Sequence, residues 1–290
     1  VGAAAESNAS GQAISLLMST RRHGFRTVLC DNEGGIADAV AALAAQGHRI
    51  YGVSRRTPPP DVQACLAMHI AADLCAPDAA ADIVARVTAD AGRIDVLINN
   101  AGAGIGGALE ETADDAMESL FQINYFAMTR LCRAVLPGMR AQHSGQILNF
   151  SSLGGRVGLP YQGAYSATKY AVEGYTEALY SEARPFGIAV SLIEPGDFAT
   201  GFTASRTMAT SADSPYAAAH RAALRRIESD ERGGSRPEVL ARKIVRIVNA
   251  RRPRLRYTVG NPAECALVRA RHLMGDRLFL ALLAKYYGVR

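Results

Sequence analysis

Residues 146–170, QILNFSSLGGRVGLPYQGAYSATKY, decide the reading of this chain. Gln146–Phe150 is a short, largely apolar run of the kind that forms a strand buried on both faces. Ser151 and Ser152 end it, which places the Ser152 hydroxyl just beyond a strand's carboxyl end. Thirteen residues further on, Tyr165 and Lys169 stand at i and i+4 of a helix predicted over 165–184, so they share one face. An ammonium beside a phenol favours the phenolate and draws its pKa down from about 10 toward working pH. Such a tyrosine can give a proton to, or take one from, a carbonyl or alcohol oxygen. The spacing alone also fits an ordinary solvated helix face, so the neighbouring elements have to decide.

Outward from this stretch the same rhythm continues. Arg26–Cys30 reads as a strand, and Ile36–Gln46 as an Ala-rich helix closed by Gly47. Arg49–Ser54 is the next strand, and Pro58, Pro59 and Pro60 forbid regular structure after it. His69–Asp73 is a short strand, Ala79–Ala91 a helix and Val96–Asn99 a fully buried strand. Thr112–Arg140 has a helical pattern interrupted at Pro137 and Gly138, and Ala189–Ile193 is a strand. Short apolar runs alternating with helices imply right-handed βαβ units. The fold class predicted is α/β, a doubly wound, mostly parallel Rossmann-like sheet, with the ligand beyond the carboxyl ends of the strands. From Gly196 to Gly234 the pattern loosens, with only weak helical pieces. Pro237–Arg251 is an amphipathic helix, Leu255–Val259 a strand and Leu267–Tyr287 a helix.

The 290 residues carry 32 Lys+Arg against 27 Asp+Glu, a net charge of +5, with 49% hydrophobic residues. That composition excludes disordered, collagenous and disulfide-scaffold classes. The mild basicity falls short of a nucleic-acid signature and suits an anionic small ligand. Five scattered cysteines without a Cys-x-x-Cys pair argue against a disulfide framework or structural zinc, and point to a reducing cytoplasm. Six scattered histidines lack metal-ligand spacing, so no metal site is expected. No apolar run reaches the length of a membrane span. The expected organisation is an extension over residues 1–24, then one Rossmann domain over 25–290. Within it, 197–235 forms a substrate lid and 236–290 a C-terminal segment. The Arg251–Arg256 run reads as a solvated basic loop, and the tail helix as packing over the pocket or a neighbouring subunit.

Further polar residues fall at the same sheet edge. Asn99, Asn100, Ala101 and Gly102 end the strand VLIN, and Pro195 and Gly196 close a later strand. Asn124 sits in a helix interior, where Asn has poor propensity and needs another reason to be present. With Ser152, Tyr165 and Lys169, these pieces resemble the short-chain dehydrogenase/reductase family, in family order and at family spacing from about residue 25 to 200. The resemblance implies a role for each residue. Tyr165 would be the general acid of a reduction or the base of an oxidation, and Lys169 would lower its pKa and hold a nicotinamide ribose. Ser152 would hydrogen-bond the substrate oxygen, and Asn124 would position a relaying water. Asn100, Ala101 and Gly102 would line the adenosine side, with Asp73 near the adenine. Pro195, Gly196 and Thr200 would sit against the nicotinamide. The implied chemistry is hydride transfer between a nicotinamide cofactor and a carbonyl.

One region departs from the family pattern. Where the family has Thr-Gly-x-x-x-Gly-x-Gly, this chain has Asp31, Asn32, Glu33, Gly34, Gly35, Ile36 and Ala37 after Cys30. Gly34, Gly35 and Ile36 are left to meet a pyrophosphate. Two solvated carboxylates there would each oppose its charge by about 1 kcal/mol. Arg55, at the end of the second strand where an acidic residue would accept the ribose of NAD, suits a 2′-phosphate instead. Three readings follow. The first is NADP(H)-dependent reduction of a ketone (or oxidation of an alcohol), with NADP(H) preferred over NAD(H). The second binds no cofactor and uses Tyr165, Lys169 and Ser152 for proton transfer in a cyclisation, dehydration, epimerisation or rearrangement. The third, weakest, is a non-catalytic subunit. Phe198, Phe202, Met208 and Tyr216 in the lid suggest a small hydrophobic, polyketide-like substrate. The resemblance also implies a homodimer or homotetramer assembled through the helices over 112–136 and 165–184.

Overall fold

Apolar runs that bury both faces can be satisfied only between two layers of helix, and this requirement organises the chain. The computed structural model describes residues 25–30, 37–199 and 206–289. Seven strands form one sheet: β1 (Arg26–Cys30), β2 (Arg49–Ser54), β3 (Met68–Ala71), β4 (Val96–Asn99), β6 (Gly145–Phe150), β7 (Ile188–Pro195) and β9 (Arg256–Val259). Their order is β3-β2-β1-β4-β6-β7-β9, every neighbouring pair parallel. The order reverses between β1 and β4, the place where an open α/β sheet leaves a crevice for a ligand. Two short strands, β5 (Ile105–Gly106) and β8 (Thr207–Met208), pair separately and dock the lid on the loop after β4.

Period-2 alternation sorts the strand side chains between the layers. Leu97 and Ile147 pack with α3 (Ala79–Ala91), α5 (Ala127–Ala141) and α6 (Gly163–Ala183). Val96, Ile98, Leu148 and Phe150 pack on the opposite face with α1 (Ala37–Ala44) and α8 (Pro237–Val248). One polar ladder crosses the first layer. Asn99 Nδ2 donates to Asn149 Oδ1 at 2.9 Å, Asn149 Nδ2 to Thr176 Oγ1 at 3.1 Å, and Thr176 Oγ1 to the Val172 carbonyl at 2.7 Å. It ties the ends of β4 and β6 to α6 from below.

Most elements form where the pattern placed them, and Ala79–Ala91 and Val96–Asn99 do so to the residue. Five expectations are corrected. Pro60 does not forbid regular structure but opens a short helix, α2 (Pro60–Gln63), at its first position, where the missing N–H costs nothing. The 112–140 helix is not interrupted at Pro137, because α5 runs through it. The irregularity lies earlier, in a π-turn over Gln122–Phe126 between α4 (Asp114–Phe121) and α5. Such an inserted residue re-aims a side chain, and here it serves Asn124. The third strand is Met68–Ala71, so Asp73 lies in the turn beyond it. The lid contains a full helix, α7 (Ala217–Arg232). Its buried face is built from Ala217, His220, Ala223, Ile227 and Glu231, too small and too polar to read as an apolar stripe. The tail is two helices, α9 (Pro262–Ala270) and α10 (Asp276–Tyr286), because Gly275 is extended and Asp276 opens a fresh first turn.

Truncating the centre of the polar ladder by Asn149→Ala leaves the buried Asn99 and Thr176 groups without their partner. It should cost about 1–3 kcal/mol in urea unfolding. A loss below about 0.5 kcal/mol would mean that the ladder contributes no net stability.

Candidate active site

The π-turn points Asn124 at two elements at once. Its Oδ1 accepts from the Ala103 N–H at 2.8 Å, while Nδ2 donates to the Ala103 carbonyl at 3.0 Å and to Thr168 Oγ1 at 2.9 Å. Thr168 Oγ1 in turn donates to the Tyr165 carbonyl at 2.7 Å. Asn124 is 2% exposed, so all three bonds are made in a dry interior. The loop after β4, the π-turn and the first turns of α6 are thereby locked together.

Lys169 is buried one helical turn below Tyr165, and its Nζ donates to the Phe150 carbonyl at 2.9 Å. Burial lowers its pKa to about 8, and Glu173 acts against that shift. Ser152 sits just beyond β6, where its Oγ accepts from the Gly154 N–H at 3.0 Å and hydrogen-bonds the Tyr165 phenol. Burial pushes the Tyr165 phenol up; the Ser152 hydrogen bond and the Arg206 charge pull it back. Lys169 Nζ lies 5.7 Å from the centre of the Tyr165 ring. Gly102 closes the other side: a Cβ there would lie 3.2 Å from Asn124 Oδ1 and 3.7 Å from Lys169 Nζ. The fold thus brings Asn124, Ser152, Tyr165 and Lys169 to one place at the carboxyl edge of the sheet, beside Gly102 and the Asn100–Ala101 loop.

Arg55 and Asp73 meet elsewhere on the same edge. They line a cleft of about 290 Å³ with Ser54, Leu74, Ala103 and Gly104, at the ends of β2 and β3. Asp73 Oδ1 accepts from the Cys75 N–H at 2.9 Å and so shapes that turn. Pro195 ends β7, and the Gly196 N–H donates to the Val259 carbonyl at 2.8 Å. Gly196 lies so close to the Glu264 carboxylate that a Cβ would collide with it. Gly34, Gly35, Ile36 and Thr200 lie outside the described residues, as do Asp31, Glu33, Phe202 and the extension over 1–24.

A nicotinamide dinucleotide would span both places, and the donor set fits one. The Lys169 ammonium has three donors, of which the Phe150 carbonyl takes one. Arg55 offers a guanidinium at the mouth of the cleft, and Gly102 leaves the space a Cβ would fill. These residues would hold its ribose, its adenosine phosphate and its middle, respectively.

The sequence reading passed over Arg206. It is nearly buried, pairs with Glu231 of α7 at 2.5 Å and lies against Gly104. Its charge reaches Tyr165. A single arginine in a stretch of small polar residues has no periodic signal, so only the fold reveals it. Asp197, one of the residues that match the family over 195–200, stands at the root of the lid. Burial, followed by Glu264, Glu231 and Asp230, raises its pKa to about 7, while Arg206 opposes the shift.

Comparison with known proteins agrees with this geometry. The short chain dehydrogenase family model matches residues 28–210, and the chain belongs to the short-chain dehydrogenase/reductase family. It is 39% identical over 250 residues to a 3-ketodihydrosphingosine reductase of Bacteroides thetaiotaomicron, covering 86% of this chain and 92% of that one. A family member from Burkholderia phymatum, solved with NAD, superposes with a TM-score of 0.74 at 25% identity, over 88% of this chain and 95% of that one. A metagenomic member solved with NADP gives 0.64 at 25% identity, over 83% and 98%. The expected fold class and an oxidoreductase of this family are therefore established. Among the described residues, no helix is long and apolar enough to cross a membrane.

A raised carboxyl pKa has a stability consequence of defined sign. The folded state binds a proton at Asp197 that the unfolded chain has released, so its contribution is lost as pH rises from about 4 through about 7. Asp197→Asn should therefore gain in Tm over the parent progressively from pH 4 to pH 8. An unchanging difference across that range would show that Asp197 is not held protonated.

Proposed function

We propose that this protein is an NADP(H)-dependent reductase of a long-chain ketone, of the 3-keto amino-alcohol type named for its Bacteroides relative. The observation that carries the reaction type is the meeting of Ser152, Tyr165, Lys169 and Asn124 at the carboxyl edge of the sheet. The identity of 39% across nearly the whole of that relative carries the substrate class. Arg55 at the cleft carries the preference for a 2′-phosphate, since solved relatives occur with either dinucleotide.

The chain's own residues divide the work. The ketone oxygen is held between the Ser152 hydroxyl and the Tyr165 phenol. A buried phenol with a raised pKa stays protonated at neutral pH, which suits a general acid. A nicotinamide, when bound, supplies the hydride. As charge develops on the oxygen, Tyr165 delivers its proton and Ser152 donates a hydrogen bond. The Lys169 ammonium stabilises the phenolate left behind and orients the ribose. Asn124 keeps Ala103 and α6 in register, so the two halves of the site stay aligned. The lid, with Met208 exposed, offers apolar surface for an alkyl chain, whereas Phe198 packs into the core beside Phe150 and Ile193. Proton transfer without a cofactor, the alternative raised by Asp31 and Glu33, draws on the same four residues but leaves the Arg55–Asp73 cleft without a purpose. Phe126, exposed at the end of the π-turn, and Tyr170, exposed on α6, support assembly of two copies through these helices.

NADPH consumption with 3-ketodihydrosphingosine tests the reading. Tyr165→Phe should lower kcat by about 10²–10⁴-fold with NADPH binding retained. Full activity without the phenol would remove Tyr165 from the mechanism. Arg55→Ala should raise the KM for NADPH about 10-fold or more and leave that for NADH unchanged. Equal effects on both cofactors would assign Arg55 to the dinucleotide's shared parts.

A further inference from the structure

Beyond Lys169, α6 carries Glu173 and Glu177 at successive i+4 steps. Tyr165, Lys169, Glu173 and Glu177 therefore form one row along the helix. Glu173 is buried, and a row of charges answers it from the next strands. Arg256 of β9 pairs with Glu173, with Glu177 and with Glu194 of β7. Arg156, in the turn after β6, approaches Glu194 at 3.3 Å, and Thr258 Oγ1 donates to Glu194 at 2.9 Å. Ser151, at the end of β6, lies beside Glu173. Arg271 comes from the turn after α9 and donates to the Arg156 carbonyl and the Tyr170 hydroxyl. Two buried carboxylates, Glu173 and Glu194, thus share the Arg256 guanidinium, with Arg156 beside Glu194 and the exposed Glu177 at the rim. Ion pairs of this kind carry a desolvation cost, and leaving one partner uncompensated costs more. Glu173 has to share its guanidinium with Glu194, which favours a further cation beside it, and Lys169 stands one turn away.

We infer that Glu173, kept ionised by Arg256, is a positioning residue that holds the Lys169 ammonium in its charged form. A sheet-edge arginine then sets the protonation of the site from its far side. This rests on the proposed partnership of Lys169 with Tyr165 for its catalytic meaning, although the electrostatic claim stands by itself. The physical need is clear from burial. Desolvation alone would favour a neutral amine at Lys169, whose pKa is about 8, and Glu173 acts in the opposite sense. Arg256 has the same relation to Glu173, whose burial favours the protonated acid, while Ser151 and Arg256 favour the carboxylate and Glu194 opposes it. Two desolvation penalties are offset in series, each by the next charge along the row. The other groups facing Lys169 are Tyr165, the Phe150 carbonyl and Asn124, and none of them carries a negative charge while the phenol is protonated.

The chain contains three lysines, at 169, 243 and 285, so side-chain ¹³C-labelled lysine gives three NMR signals that can be followed with pH in the intact protein. The Lys169 signal is identified by its loss in Lys169→Met. In Glu173→Gln the Lys169 midpoint should fall by one pH unit or more, a tenfold loss of proton affinity. Arg256→Met should move it in the same direction, because Glu173 then takes up a proton. Glu173→Asp should restore part of the shift, and Glu182→Gln, on the exposed face of α6, should leave it in place. With substrate, the alkaline limb of kcat should move down by the same interval while KM for the ketone changes little. A Lys169 midpoint unchanged in Glu173→Gln, or not lowered in Arg256→Met, would overturn the inference and leave the cluster a purely structural one. A shifted midpoint in a protein that reduces no ketone would sustain it and sink the proposed function instead.

Discussion

One side chain holds the two halves of this site together. The Asn124 carboxamide spends three hydrogen bonds on two partners, both polar atoms of Ala103 and the hydroxyl of Thr168, in surroundings that exclude water. An unmet donor or acceptor there would cost about 1–3 kcal/mol, so the geometry has little freedom to relax. Because Ala103 follows β4 and Thr168 lies within one turn of Tyr165 and Lys169, the amide sets the distance between the cleft side and the proton-transfer side. The π-turn over 122–126 exists in the place that lets one residue reach both.

Around that anchor the site is an exercise in buried charge. Lys169 is buried between the Phe150 carbonyl, Tyr165 and Glu173, Arg206 reaches in from the lid with Glu231, and Asp197 is raised toward neutrality at the lid's root. Each is tolerable because another charge or carbonyl answers it, which is the condition for burying an ion at all. The same arrangement places opposite influences on Tyr165: desolvation holds its proton on, while Ser152 and Arg206 ease it off. A phenol poised between those forces can donate to an oxygen that gathers negative charge and then be restored.

The sheet and the proton-transfer residues were legible because both have local signatures. VLIN and QILNF are apolar runs bounded by polar turns, and Tyr165 and Lys169 stand out through helical spacing together with Ser152 and Asn124 in family order. What escaped the sequence has no such period. Arg206 is a single residue in a segment of small polar side chains, and its importance comes from packing on Gly104, a contact made only in the folded chain. Pro137 looked like a break but sits in a helix whose true irregularity, around Asn124, is dictated by partners 21 and 44 residues away. The tail misled because Leu, Phe and Met recur through Gly275 without revealing that its backbone is extended. The acidic Asp31 and Glu33 were legible, but their effect on a phosphate depends on residues 31–36, which lie outside the described structure.

The account turns on whether that unusual loop and the Arg55 cleft together accept a dinucleotide. Calorimetric titration of the purified, nucleotide-free protein with NADPH and, separately, NADH addresses this directly. Micromolar binding of NADPH, tighter than that of NADH, is the result the account requires. No heat of binding for either cofactor up to millimolar concentration would contradict it and return Tyr165, Lys169 and Ser152 to proton-transfer chemistry without hydride.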